Sequence, residues 1–265
     1  QTKPDIQNPS DEPFELKGKI TFKDVSFVYP ESGTLALDKI SFEVKPGETL
    51  AIIGRTGAGK STIADLICRL FDANEGEVLI DDKNIKEINL NALRSEIGYV
   101  PQEVFLFSDS IRNNISFGIT EEVVPIERIE EAAKKAVIHH SIAEFPKKYD
   151  TELGERGITL SGGQKQRISI ARAIIDEPHI LIFDDCLSAV DTETEEKILN
   201  NLKPLMKQRS TVIISHRISS VQHADQILVL EEGRLIEKGK HNELIEQKGV
   251  YYETYQKQLL EDEEA

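Results

Sequence analysis

The chain has 265 residues and a formal net charge of −15, long enough for one large domain or two small ones around a sizeable core. So acidic a balance argues against a protein that wraps nucleic acid, because neutralising phosphates needs a basic face. Two cysteines, Cys68 and Cys186, make neither a disulfide framework nor a ligand set, and six histidines without an H-E-x-x-H or C-x-x-C companion predict no metal site built by side chains alone.

The opening, Gln1-Thr2-Lys3-Pro4-Asp5, is polar, has no initiator methionine and no signal peptide, and reads as a piece of a longer polypeptide with residues 1–17 a linker. No apolar run approaches the roughly eighteen residues that span a bilayer. Alternating patterns predict strands at Ile20–Tyr29 and Ile40–Val44, and Pro46-Gly47-Glu48 is a turn. Thr49–Ile53 is a continuous apolar strand running into a glycine loop, and Ser61–Leu70 follows with helical periodicity. Glu127–Val137 has helical spacing, and a helix after Gly162-Gly163 buries Ile168, Ala171, Ile174 and Ile175 before Pro178 stops it. Ile180–Phe183 and Val212–Ile214 are short buried strands, and Thr192 with Glu195 is a capping-box start for the helix between them. Two strands bracket Glu232-Gly233, His241–Gln258 is mainly helical, and the acidic tail 258–265 is expected to be a solvated, irregular end.

Gly54-Arg55-Thr56-Gly57-Ala58-Gly59-Lys60-Ser61 matches the phosphate-loop pattern G-x-x-x-x-G-K-[ST] in its proper strand–loop–helix context. Gly54, Gly57 and Gly59 let the backbone curl its N–H groups inward, and the following helix, which includes Thr62, adds its positive end. Lys60 is placed to reach β- and γ-phosphates, and the Ser61 hydroxyl to ligate Mg²⁺. Ile180-Leu181-Ile182-Phe183-Asp184 is an apolar strand ending in a carboxylate, at the sheet edge where Mg²⁺ would be held.

Leu160-Ser161-Gly162-Gly163-Gln164, about a hundred residues after the loop, completes a pattern that resembles the nucleotide-binding domain of ATP-binding cassette (ABC) proteins over roughly residues 18–257. The resemblance implies an α/β fold: a P-loop NTPase core with a parallel sheet (18–103 and 171–257), an antiparallel β subdomain and an inserted all-helical subdomain (104–170) carrying the signature. It implies ATP with Mg²⁺, Tyr29 stacking on adenine, Gln102 sensing Mg²⁺ and γ-phosphate, and His216 contacting the γ-phosphate. Ser188-Ala189-Val190-Asp191 matches the family's D-loop. Ser161, Gly162, Gly163 and Gln164 would close over nucleotide held by a second domain, in a head-to-tail sandwich.

One position departs from the family. The glutamate that usually follows the Asp184 position is Asp185 here, shorter by one methylene, about 1.5 Å. A misplacement on the order of 1 Å can cost about a hundredfold in rate, so a weakened site is expected, paired with a more active partner in a heterodimer, with a homodimer of two slow sites as the rival. Thr151-Glu152-Leu153-Gly154-Glu155-Arg156-Gly157 is similar to the exporter loop that touches transmembrane coupling helices, and Phe105–Ile115 to the exporter segment after the Gln102 loop, a pair that favours multidrug or lipid export. The resemblance therefore implies an exporter's motor domain on the cytoplasmic face of a membrane, joined through 1–17 to an upstream membrane domain. A low-turnover ATP clamp and a soluble translation or repair factor are the alternatives.

Overall fold

Residues 6–121, 123–154 and 159–263 are described by the computed structural model. Two sheets organise them. The first is antiparallel and is built from β1 (Ile20–Val28), β2 (Leu35–Val44) and, after β3 (Thr49–Gly54) and α1 (Lys60–Ile67), the strands β4 (Glu75–Ile80) and β5 (Lys83–Asn84). The chain then forms α2 (Leu90–Ser95), β6 (Ile97–Val100), α3 (Ile111–Ile115), α4 (Ile126–Lys135), α5 (His139–Ala143) and α6 (Gly162–Ile174). It finishes with β7 (Ile180–Asp184), α7 (Thr192–Met206), β8 (Ser210–Ile214), β9 (Gln226–Glu231), β10 (Arg234–Gly239), α8 (His241–Gln247) and α9 (Val250–Glu263).

The second sheet has the order β10-β9-β3-β8-β7-β6, parallel except for the β9–β10 hairpin. Its inner strands β3, β7, β8 and β9 are buried on both faces, and successive residues go to different cores, as the two-residue period requires. Leu50, Ile52, Ile180, Ile182, Val212, Ile214, Leu228 and Leu230 pack with α1 against the antiparallel sheet. Ala51, Ile53, Leu181, Phe183, Ile213, Ile227 and Val229 pack against α4, α6 and α7. Cys68 and Cys186 are buried and unpaired, one in each core.

The structure differs from the sequence reading in several places. β2 starts at Leu35, and the first helix stops at Ile67, just before Arg69 turns left-handed at φ 49°. α7 is capped by Asp191, not Thr192: the extended Asp191 backbone lets its carboxylate accept from the Thr194 amide at 2.9 Å. The 241–258 segment is two helices, broken where Lys248 adopts φ 54°. The acidic end is not irregular through its length. α9 continues to Glu263, with Lys257 and Glu261 one helical turn apart and 3.7 Å between their charges.

Candidate functional site

The carboxyl ends of β3, β7 and β8 meet at one edge of the parallel sheet, where Ile52 pairs Ile214 and Ile214 pairs Asp184. The loop after β3 is shaped by its glycines. A Cβ on Gly54 would sit 2.4 Å from the Leu230 carbonyl oxygen, and one on Gly59 2.3 Å from that of Ala36. Gly59 also has φ 95°, a region that L side chains avoid. α1 starts directly after it with no side-chain cap, so the amides of its first turn face the loop without a side-chain acceptor.

Lys60 lies beneath the loop, 7% exposed, its Nζ donating to the Gly54 and Arg55 carbonyls at 2.8 and 3.0 Å. Burial pushes its pKa down, opposed by the charges of Asp185 and Asp184. Asp184 is 3% exposed, and burial raises its pKa against the Ser61 hydroxyl bond and the Lys60 charge, while the neighbouring Asp185 charge raises it further. The Tyr99 hydroxyl lies 3.5 Å from Asp184 Oδ2, and the Gln102 amide donates to Asp185 Oδ2 at 3.4 Å. Asp185 itself is left-handed at φ 44°, with its amide donating to Ile214 O at 2.8 Å.

Tyr29 is fixed from two sides. Its hydroxyl pairs with Thr62 Oγ1 at 2.9 Å, and its ring meets Phe27 and Phe71 edge-on at 4.9 and 5.6 Å. Tyr29, Thr56, Gly57, Gly59, Lys60, Ser61, Thr62, Gln102, Asp184, Asp185 and His216 all line one open cleft of 320 Å³. Thr34, Ala36 and Ile214 line it too, with no motif to announce them. The Ser61 hydroxyl, the Asp184 carboxylate and the positive-φ loop form a hard-oxygen and amide surface that fits a Mg²⁺–polyphosphate. Among the described residues no group of three or more His, Cys, Asp or Glu side chains is placed to hold a metal, so a cation here would draw its remaining ligands from substrate oxygens and water.

Ser161, Gly162, Gly163, Gln164 and Asp191 do not line that cleft. Ser161 caps α6 by accepting from the Gln164 amide at 3.2 Å, and the Gln164 side chain accepts from the Ser161 amide at 2.9 Å. A Cβ on Gly163 would come within 2.9 Å of the Ala189 carbonyl oxygen, so the glycine permits α6 to abut Ser188–Val190. Gln166 secures that contact by accepting from the Ala189 amide at 3.2 Å. Arg217, next to His216, donates to buried Glu195 at 2.7 Å and to the Val190 carbonyl at 3.4 Å. These two residues carry no signal in a single sequence. The stretches 105–115 and 151–154 come together through Ile111 N to Thr151 O at 3.0 Å and Leu153 N to Asp109 O at 3.0 Å, while Glu155, Arg156 and Gly157 lie outside the described residues.

The ABC transporter family matches residues 37–188. The chain is 49% identical over 244 residues to YfiB, an uncharacterized ABC transporter ATP-binding protein of Bacillus subtilis, covering 92% of this chain and 42% of that protein. It is 43% identical over 246 residues to an ATP-dependent lipid A-core flippase of Hahella chejuensis, covering 93% and 42%. It is also similar in structure to a bacterial Atm1-family ABC exporter with ATP bound, at TM-score 0.89 and 41% identity, over 96% of this chain and 44% of that one. The chain spans about two fifths of the length of these relatives.

Proposed function

The chain belongs to the ABC transporter family, and we propose that it is the ATP-binding and ATP-hydrolysing motor domain of an exporter, acting at the cytoplasmic face of a membrane. ATP-binding domains of this family are ATPases. The observation that carries the proposal is the convergence, in one cleft, of a glycine-built loop, a buried Lys60 and the Asp184–Asp185 pair. The flippase and exporter relatives support the exporter assignment; the cargo would be chosen by the membrane part.

Lys60, released from the Gly54 and Arg55 carbonyls, offsets charge on the β- and γ-phosphates, aided by the amides of α1. Ser61 and Asp184 would hold Mg²⁺, which neutralises charge on the phosphate oxygens. Asp185 orients the attacking water, His216 donates to the γ-phosphate, Gln102 reports its presence and Tyr29 supports the adenine. The Ser161–Gln164 terminus closes over nucleotide held by a second domain, head to tail. The short side chain of Asp185, engaged by Gln102 at 3.4 Å, favours a slow site whose partner in a heterodimer does most of the hydrolysis.

Phosphate release by the assembled transporter tests both levels. Asp185→Glu should speed turnover at this site at least about tenfold, roughly 1.4 kcal/mol of barrier, with little change in ATP affinity. Equal turnover of the two chains would remove the weakened site and the heterodimer built on it. No turnover in either would remove the ATPase assignment.

A further inference from the structure

The segment that carries His216 into the cleft is fixed by a residue far away in sequence. β8 ends at Ile214, and beyond it Ser215 keeps a bond to the sheet through its amide and the Ile52 carbonyl at 3.3 Å. The Arg217 amide donates to Ser215 Oγ at 3.0 Å, and the groups on either side of it, the His216 carbonyl and the Ile218 amide, are met by one side chain. Gln258 Nε2 donates to the His216 carbonyl at 2.6 Å, and Gln258 Oε1 accepts from the Ile218 amide at 2.8 Å. The carboxamide is planar and short, so the two bonds together hold the backbone on either side of Arg217 at a set spacing.

Gln258 is itself held. α9 begins where the Glu237 carboxylate of β10 accepts from the Val250 and Tyr251 amides at 2.5 and 3.0 Å. Tyr251 is fully buried and its hydroxyl pairs with His241 Nδ1 at 2.7 Å, while Tyr255 lies edge-on to the same ring with 5.4 Å between centroids. Tyr251, Tyr255 and Gln258 fall at i, i+4 and i+7, one face of the helix. The edge hairpin and α8 therefore set where Gln258 arrives. The side chains of the clamped segment diverge from there: His216 lines the cleft, and Arg217 reaches Glu195 and the Val190 carbonyl.

We propose that Gln258 is a positioning residue for His216, making α9 the arm that sets the histidine's distance from the γ-phosphate; the proposal rests on the reading of His216 as the γ-phosphate contact. Among the described residues the hydrogen bonds of Gln258 go to His216 and Ile218 and not to the phosphate loop, so its loss should act on turnover and spare ATP binding.

The test measures steady-state ATPase activity at this chain's own site, in an assembled transporter whose partner site is inactivated, for Gln258→Met, which keeps length and loses both bonds, and for Gln258→Glu, which keeps only the acceptor. Both should lower kcat about tenfold while the KM for ATP stays within about twofold, and neither should slow a His216→Ala chain further. Gln258→Glu decides the matter if Gln258→Met fails to fold. Wild-type turnover in the Gln258 variants, beside a slow His216→Ala chain, would overturn the clamp and leave the role of His216 standing. Losses from Gln258→Met and His216→Ala that multiply independently would also overturn it. A His216→Ala chain as fast as wild type would overturn the role of His216, and the clamp with it.

Discussion

The starts of α1 and α6 both follow glycine-rich sequence, yet they are finished in opposite ways. At α1 the residue before the helix is Gly59, left-handed and without a side chain, and the first-turn amides have no side-chain acceptor. At α6 it is Ser161, extended, whose hydroxyl and whose Gln164 partner close a reciprocal capping box. An open terminus is completed by an anion from outside; a capped one is complete in the single chain. Any contact that Ser161 makes with nucleotide across a second domain must be made with hydrogen-bonding capacity left over from the cap. The open terminus lines the cleft, and the capped one stands apart from it on an exposed serine.

The comparison breaks most visibly at Lys60. With Mg-ATP at a hundredfold excess over its Kd, the wild-type chain should gain about 2.7 kcal/mol of stability. Lys60→Ala should gain none in the same thermal-shift measurement, because the charge under the open loop is gone. A variant that keeps the shift would mean that α1 is not the polyphosphate site.

Ser161→Ala tests the other terminus and should act without nucleotide. Losing the cap costs about 1 kcal/mol, or about 2–4 °C in Tm for a chain of this size. Ser161→Gly should recover most of it, since glycine is a tolerable cap. An unchanged Tm in Ser161→Ala would show that the box contributes nothing to the fold.

The smallest effect concerns Asp184. Its folded pKa is raised by burial, so its contribution to stability is present below the unfolded value and lost as pH rises through the folded one. At pH 7 the nucleotide-free wild type therefore bears the cost of a buried carboxylate, and Asp184→Asn should melt slightly higher. The gap should narrow as the pH is lowered toward the unfolded carboxylate value. Denaturant titrations at several pH values read it, and a gap that widens on acidification would contradict the burial argument.

The phosphate loop was legible because its glycines answer local needs: close carbonyls at Gly54 and Gly59 and a positive φ at Gly57. The buried parallel strands were legible as apolar runs, and the two-sided packing of Ile180–Phe183 explains why they do not alternate with polar residues. β4 has no strand pattern in the sequence because half of it, Glu75-Gly76-Glu77, is exposed. β6 is equally silent because four residues, one of them Gly98 pressed against the Ala173 carbonyl, give too short a pattern. Asp191 does not stand out as a cap in the sequence because Thr192 and Glu195 fit the same rule one residue later. Gln166, Arg217 and Gln258 were invisible for another reason. Their partners lie 22 to 42 residues away, and a lone glutamine or arginine looks the same whether it is solvated or holding a loop in place.

The central claim is that one terminus holds this chain's own nucleotide and the other does not. Equilibrium binding of Mg-ATP to the chain at concentrations where it is monomeric tests this directly. The account predicts one nucleotide per chain, lost in Lys60→Ala and unchanged in affinity in Ser161→Ala. Equal weakening by the two substitutions would contradict it, since Ser161 would then be part of the same chain's nucleotide site.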